Sequence, residues 1–281
     1  MKTASIFYFS GTGNTWWAAA ELSRQLGDRG LATTAHSIEK LPAAIANDLV
    51  RTSTLVGFGY PIYGSDLPIP MKKFIEELEP ATGKCAMVFC TQWLWSGDGA
   101  RIGAAMLKEK RFAVKWGEHL HMPNNISVQL LPIAIHTDDH SKKTKYLAFS
   151  KRRLQRLSEH IVQEKPLTRG FNILSELSGL LQRAPYRRFL EGRRNDMAVN
   201  KTVCTSCGLC TRLCPADNLV FENGTIVTQG HCINCMRCYN FCPVSAFVYR
   251  GKSHRKRHGP PYRGPLPGFD PEVLTGPCKR Y

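Results

Sequence analysis

The cysteines constrain this chain more than anything else in it. Cys204, Cys207, Cys210 and Cys214 recur 28 residues later as Cys232, Cys235, Cys238 and Cys242, and Pro215 and Pro243 follow in step. Eight of the chain's 11 cysteines therefore fall in one short stretch. Bunching of this kind marks metal binding rather than a disulfide framework, and structural zinc favours paired C-x2-C units across a longer gap. An internal repeat of two half-units, each carrying four thiols, defines residues 201–250 as a unit of their own.

Each run reads C-x2-C-x2-C-x3-C-P and resembles the bacterial two-cluster ferredoxins. Three cysteines two residues apart wrap a loop around one face of a cubane, and the fourth reaches the other cluster more comfortably. The resemblance implies that Cys204, Cys207, Cys210 and Cys242 hold one [4Fe–4S] cluster and Cys232, Cys235, Cys238 and Cys214 the second. The proline after each last ligand turns the chain away and removes a backbone donor. A complete cysteine set leaves His231 no vacancy, so it reads as a surface or neighbouring residue.

The first third of the chain alternates short apolar runs with amphipathic stretches, the pattern of a parallel α/β sheet. Strands are predicted at 5–9, 33–37, 54–60, 84–91 and 113–121, and helices at 16–26, 68–78, 98–110 and 146–164. Residues 166–200 are apolar-periodic and arginine-rich and read as a helical basic linker. After Arg250 the chain turns Pro/Gly-rich and basic, which predicts an extended tail over 251–281.

Ser10-Gly11-Thr12-Gly13-Asn14-Thr15 follows the first strand and opens a helix, so backbone N–H groups point at whatever binds there. No Lys-[Ser/Thr] pair follows, as a P-loop requires, and Trp16 stands where a dinucleotide fingerprint has its third glycine. What remains is a loop of hydroxyl and amide donors without Lys or Arg, suited to a terminal phosphomonoester. The loop resembles the FMN phosphate loop of flavodoxins. That resemblance implies a doubly wound five-stranded sheet of order 2-1-3-4-5 with FMN at the switch point. It also implies flavin contacts after the third strand, from Tyr60, Pro61, Ile62, Tyr63 and Gly64. After the fourth strand the corresponding residues are Thr91, Gln92, Trp93, Gly97 and Asp98. Tyr63, Trp93 and Trp95 are the aromatics placed to stack on the ring. Trp16 and Trp17 read as helix–sheet packing, Cys85 and Cys90 as core thiols, and Cys278 as a lone tail thiol.

The net charge of +16 is unevenly spread. Residues 131–200 carry 14 Lys and Arg against 7 Asp and Glu, and residues 251–281 carry 7 against 2. Flavodoxins and small ferredoxins are usually acidic, so this departure predicts an acidic redox partner, such as a ferredoxin or flavodoxin. Lys142, Lys143, Lys145, Lys151, Arg152 and Arg153 would also suit nucleic acid, but no nucleic-acid motif accompanies them. The N-terminus lacks a signal-peptide pattern and no run of 18 apolar residues occurs, which predicts a cytoplasmic chain without a membrane span. No Ser/His/Asp or zinc constellation can be assembled by spacing, which points away from a hydrolase.

Together, residues 1–165 and 200–250 resemble a flavodoxin-like domain fused to a two-cluster ferredoxin, as in the EFR-family ferredoxins. The resemblance implies an electron-transfer iron–sulfur flavoprotein relaying single electrons between two clusters and FMN. The alternative is a flavin-dependent reductase of an organic substrate, with the 122–200 insert as a lid. In the relay reading the 165–200 segment, and not the sheet itself, is expected to set the interface between the two units.

Overall fold

Five of the six residues of β1 (Thr3–Tyr8) are buried, as a strand covered on both faces requires. Ile6 and Tyr8 point to one apolar core and Phe7 to the other, with Phe9 just beyond the strand joining Phe7. The computed structural model describes residues 2–128, 137–255 and 259–275. It sets β1 between β2 (Ala32–Ser37) and β3 (Leu55–Pro61), followed by β4 (Cys85–Gln92), β5 (Ala113–His121) and β6 (Leu167–Thr168). Every pairing in this sheet is parallel. The order β2-β1-β3-β4-β5 is the flavodoxin-like doubly wound one.

Helices cover both faces. α1 (Asn14–Gly27) and α5 (His140–Val162) bury Leu22, Leu26, Leu154 and Leu157 on one side. The other side takes α2 (Ala43–Thr52), α3 (Ile69–Glu77) and α4 (Gly99–Glu109), through Val50, Phe74 and Leu107. The sequence reading missed α2, which buries only Ala46 and Val50. It also counted five strands where there are six, because β6 is two residues long. The basic linker is thus partly sheet edge and partly α6 (Ile173–Glu191).

The cysteine-rich unit repeats in its backbone as in its sequence. β7 (Met197–Val199), α7 (Leu209–Leu213) and β8 (Leu219–Glu222) are followed 28 residues later by β9 (Thr225–Thr228), α8 (Arg237–Phe241) and β10 (Phe247–Tyr249). β7 pairs with β10 and β8 with β9, each antiparallel, so the two halves exchange strands across a pseudo-twofold. Left-handed backbone recurs in register at Ser206 and Asn234, Gly208 and Met236, and Asp217 and Ser245. β11 (Lys252–Ser253) pairs with β10.

The tail is not extended over its described part. Tyr262 and Leu274 are buried, Phe269 packs on Trp16 at 5.1 Å, and Ser37 Oγ donates to the Leu274 carbonyl at 3.0 Å. These apolar side chains, set among the prolines and glycines, bring the segment back across the sheet domain. Cys278 lies outside the described residues. Among the described residues, no helix is long and apolar enough to cross a membrane.

Candidate functional site

The glycine loop sits where β1 ends and α1 begins. Gly13 adopts φ 102°, and a Cβ there would meet Pro265 at 2.6 Å and Phe269 at 2.8 Å. Backbone conformation and the returning tail both demand glycine. The loop is braced by Gly13 N donating to Ser10 Oγ at 3.1 Å and by Asn125 Nδ2 donating to Thr12 Oγ1 at 2.7 Å. Thr15 Oγ1 meets Thr91 Oγ1 at 2.8 Å, and Asn14 accepts from the Tyr262 hydroxyl at 2.6 Å.

A cleft opens over this loop. It gathers Ser10, Gly11, Thr12, Asn14 and Thr15 with Pro61, Ile62 and Tyr63 after β3, and Thr91, Gln92 and Trp93 after β4. All of these were singled out in the sequence as flavin contacts. The others stand elsewhere. Gly13 faces the tail, and Tyr60 is fully buried with its hydroxyl donating to the Gly99 carbonyl at 2.9 Å. Gly64 lies beneath the Tyr186 ring. Gly97 packs against Gly179, and Asp98 is fully buried with an ion pair to Arg183 at 2.6 Å. Asp98 therefore anchors α6 instead of facing the cleft. Trp95 is exposed on the outside, its indole N–H donating to Ser178 Oγ at 2.7 Å.

Three walls of the cleft come from residues that the sequence does not mark as flavin contacts. Met122, Pro123 and Asn125 follow β5, Tyr186, Phe189 and Leu190 reach over from α6, and Asn234, Cys235 and Met236 belong to the second cysteine run. The Tyr63 hydroxyl and both polar atoms of the Asn234 amide are buried without partners. Burial pushes the Tyr63 phenol well above its ordinary range. The donor-rich loop and these unpartnered polar atoms beside aromatic side chains fit a planar ligand carrying a phosphate, as FMN does.

The cysteines fall into two groups. Cys204, Cys207, Cys210 and Cys242 line a hollow together with Leu213, Phe241 and Phe247, and Cys238 of the other group also lines it. Burial first, then Cys242, Cys204 and Cys207, push the Cys210 thiol up to about 11. Burial and then Cys235, Cys232 and Cys214, followed by Cys210, push Cys238 well up. The fourth cysteine of each run thus sits with the first three of the other. Backbone N–H groups aim at the sulfurs in matching pairs. Ser206 N reaches Cys204 Sγ and Asn234 N reaches Cys232 Sγ, both at 3.4 Å; Asn218 N and Ala246 N reach Cys214 and Cys242 at 3.3 and 3.2 Å. Two groups of thiols, one of them lining a hollow, with amide hydrogens facing sulfurs in both, fit iron–sulfur cubanes.

One arginine joins the two sites. Arg237, fully buried at the start of α8, donates from Nε to the Gly11 carbonyl at 2.9 Å and from Nη2 to the Ser10 carbonyl at 2.6 Å. Nη1 donates to the Leu213 carbonyl at 2.7 Å, and the two Nη atoms pair with the Glu39 carboxylate at 2.6 and 2.9 Å. All five donors of the guanidinium are used. The expectation that the 165–200 segment alone sets the interface is corrected here: the cysteine loop bonds directly to the glycine loop. The sequence held a signal for this residue, because its repeat mate is Leu209.

Residues 196–243 match the family model described as a 4Fe-4S dicluster domain. The matched stretch takes in β7 and all eight clustered cysteines. Among solved structures, an archaeal flavodoxin matches at 18% identity with a TM-score of 0.40, covering 57% of this chain and 99% of that one. The flavodoxin of Streptococcus pneumonia TIGR4 matches at 16% and 0.43, covering 58% and 99%. Rubredoxin oxygen:oxidoreductase from Desulfovibrio gigas matches at 14% and 0.45, covering 58% of this chain and 36% of that one. No curated protein matches in sequence. The chain joins a doubly wound parallel-sheet unit to a segment that matches a 4Fe-4S dicluster domain.

Proposed function

We propose that the chain relays single electrons between two [4Fe–4S] clusters and FMN. Cys204, Cys207, Cys210 and Cys242 hold the outer cluster, and Cys232, Cys235, Cys238 and Cys214 the inner one. The observation that carries this reading is that Cys235 lines the same cleft as the glycine loop. Bound together, such clusters pass one electron at a time and FMN accepts one or two, so the pair interconverts one- and two-electron chemistry.

The protein's own part is order and insulation. Cys207 is exposed and Cys235 buried, so thiol accessibility falls from the outer group toward the cleft. Ser10, Thr12 and the Gly11 amide take the phosphate end, while Tyr63 and Trp93 flank the ring. Tyr186, Phe189 and Leu190 cover the cleft from α6 and limit solvent access. An acidic ferredoxin or flavodoxin is the partner proposed for the basic surface. Lys142, Lys145, Lys151 and Arg152 carry that surface, because Lys143 is buried in a pair with Asp138 and Arg153 is paired with buried Glu118.

Rapid mixing of the anaerobic holoprotein with a low-potential reductant tests the relay. Cluster bleaching should precede flavin reduction, and Cys238→Ala should slow the second phase. Equally fast flavin reduction in that variant would end the reading. One observation favours the alternative of an organic substrate. A second hollow of about 740 Å³, bordered by Lys72, Arg187 and Arg194, shares Tyr63, Tyr186, Leu190 and Asn234 with the cleft. Turnover with anionic organic acceptors would establish that reading in its place.

A further inference from the structure

α6 is docked the wrong way round for a helix of a water-soluble domain. Over its first three turns the inward residues are small or polar. Ser175 and Gly179 are buried, Gln182 accepts from Ser65 Oγ at 2.8 Å, and Arg183 binds Asp98 at 2.6 Å and the Ser65 carbonyl at 3.1 Å. A Cβ on Gly179 would overlap the Asp98 carboxylate, so the close approach of this polar face depends on glycine. The aliphatic face points outward. Ile173 is 82% exposed, Leu174 79%, Leu181 70%, and Leu177 and Leu180 55% each. These positions are i, i+1, i+4, i+7 and i+8, one stripe of a helix. Leu94 (62% exposed) and Trp95 (61%) extend it sideways, since the Trp95 indole is bonded to Ser178.

We propose that this face seats the protein on an anionic lipid surface, with α6 lying in the plane of the headgroups. Three observations favour lipid over other occupants. The stripe is a protruding aliphatic ridge with a tryptophan at its flank, the make-up of interfacial helices, whereas protein hot spots favour Tyr, Trp and Arg and are poor in Leu. Further along α6, beyond the leucines, stands exposed Arg188, and just past its end exposed Arg194, where acidic headgroups would lie, while Arg187 is paired with Asp66 at 3.1 Å. A net charge of +16 opposes packing against a second copy and favours an anionic surface. The same helix supplies Tyr186, Phe189 and Leu190 to the cleft, so this seating would bring the mouth of the cleft to the lipid boundary. The proposal is independent of the electron relay.

Vesicle sedimentation of the full holoprotein tests it, using phosphatidylcholine alone and phosphatidylcholine with phosphatidylglycerol in equal parts. The mixed vesicles should pellet the protein, the neutral ones should pellet far less, and salt should weaken the binding. Trp95 should be needed for a blue shift of the emission on binding. The double variant Leu174→Glu/Leu181→Glu should lose roughly tenfold or more in partitioning while keeping its flavin and cluster absorbance. No pelleting by mixed vesicles overturns the proposal, as does undiminished binding of the double variant. Equal binding to neutral vesicles removes the anionic surface. A dimer that the double variant converts to monomer, without lipid binding, assigns the face to a second copy.

Discussion

Arg237→Met removes a buried guanidinium from the point where the two units meet while keeping an unbranched apolar stem. Three carbonyls, of Ser10, Gly11 and Leu213, lose their donor, and the Glu39 carboxylate, whose side chain is only 10% exposed, loses its partner. Leaving one member of a buried ion pair uncompensated costs about 3–5 kcal/mol. For a chain of this size that corresponds to a fall in melting temperature on the order of 10 °C. The flavin should respond separately. With their carbonyls held by Arg237, Ser10 and Gly11 keep the loop in one orientation, and its release should weaken FMN roughly ten- to a hundredfold, about 1.4–2.8 kcal/mol. Thermal melting at fixed FMN concentration and flavin titration read the two effects. The double variant Glu39→Gln/Arg237→Met removes both charges and should be less destabilised than Arg237→Met. If Arg237→Met melts within about 3 °C of the wild type, less than about 1.5 kcal/mol, and binds FMN unchanged, the guanidinium does not join the units.

Thr12→Glu sets a carboxylate against the phosphate end of the cleft and should strip the flavin, whereas retained FMN at one per chain would place the phosphate elsewhere. The wild type should carry about eight irons and eight acid-labile sulfides per chain. Cys210→Ala and Cys214→Ala should each lose about half of that iron but different electron paramagnetic resonance signals, and loss of the same signal in both would refute the crossed groups. Burial holds the His119 imidazole down to about 4, so the folded chain keeps it neutral where the unfolded chain takes up a proton near its ordinary 6.5. Stability should therefore fall as pH drops from about 6.5 to 4, by about 3 kcal/mol from this group, and His119→Gln should flatten that part of the curve.

The parts of the fold that were legible in the sequence are those where one local pattern has one structural reading. The cysteine repeat returns as a backbone repeat, down to the left-handed residues at Ser206 and Asn234. β1, β3 and β4 are apolar on both faces and were found to within two residues at each end. α2 was missed because its two buried side chains make no recognisable period, and β6 because two residues make none at all. Gly97-Asp98 shows where resemblance failed. The pair matches a flavin-loop motif, but a buried carboxylate goes to the nearest cation, and Arg183 of α6 provides it. That partner lies 85 residues away in sequence. Tyr186, Phe189 and Leu190 escaped notice for the same reason, since only tertiary packing brings α6 over the cleft.

The repeat itself cannot decide which half of the cysteine unit faces the flavin cleft. Two pseudo-equivalent halves offer two equivalent loops, and by symmetry either could dock on the end of β1. The decision lies where the halves differ. At the first residue of their helices one has Leu209, packed at the edge of an apolar core, and the other has Arg237. A leucine can face the glycine loop only by leaving the Ser10 and Gly11 carbonyls without donors and the Glu39 carboxylate without a partner, each of which is costly when buried. An arginine there satisfies all of them at once. The same substitution that breaks the symmetry also puts Cys235, two residues before it, against the cleft and leaves Cys207, its repeat mate, in solvent. One side chain thus gives an otherwise symmetric pair of cysteine groups an inside and an outside, which a directional relay requires.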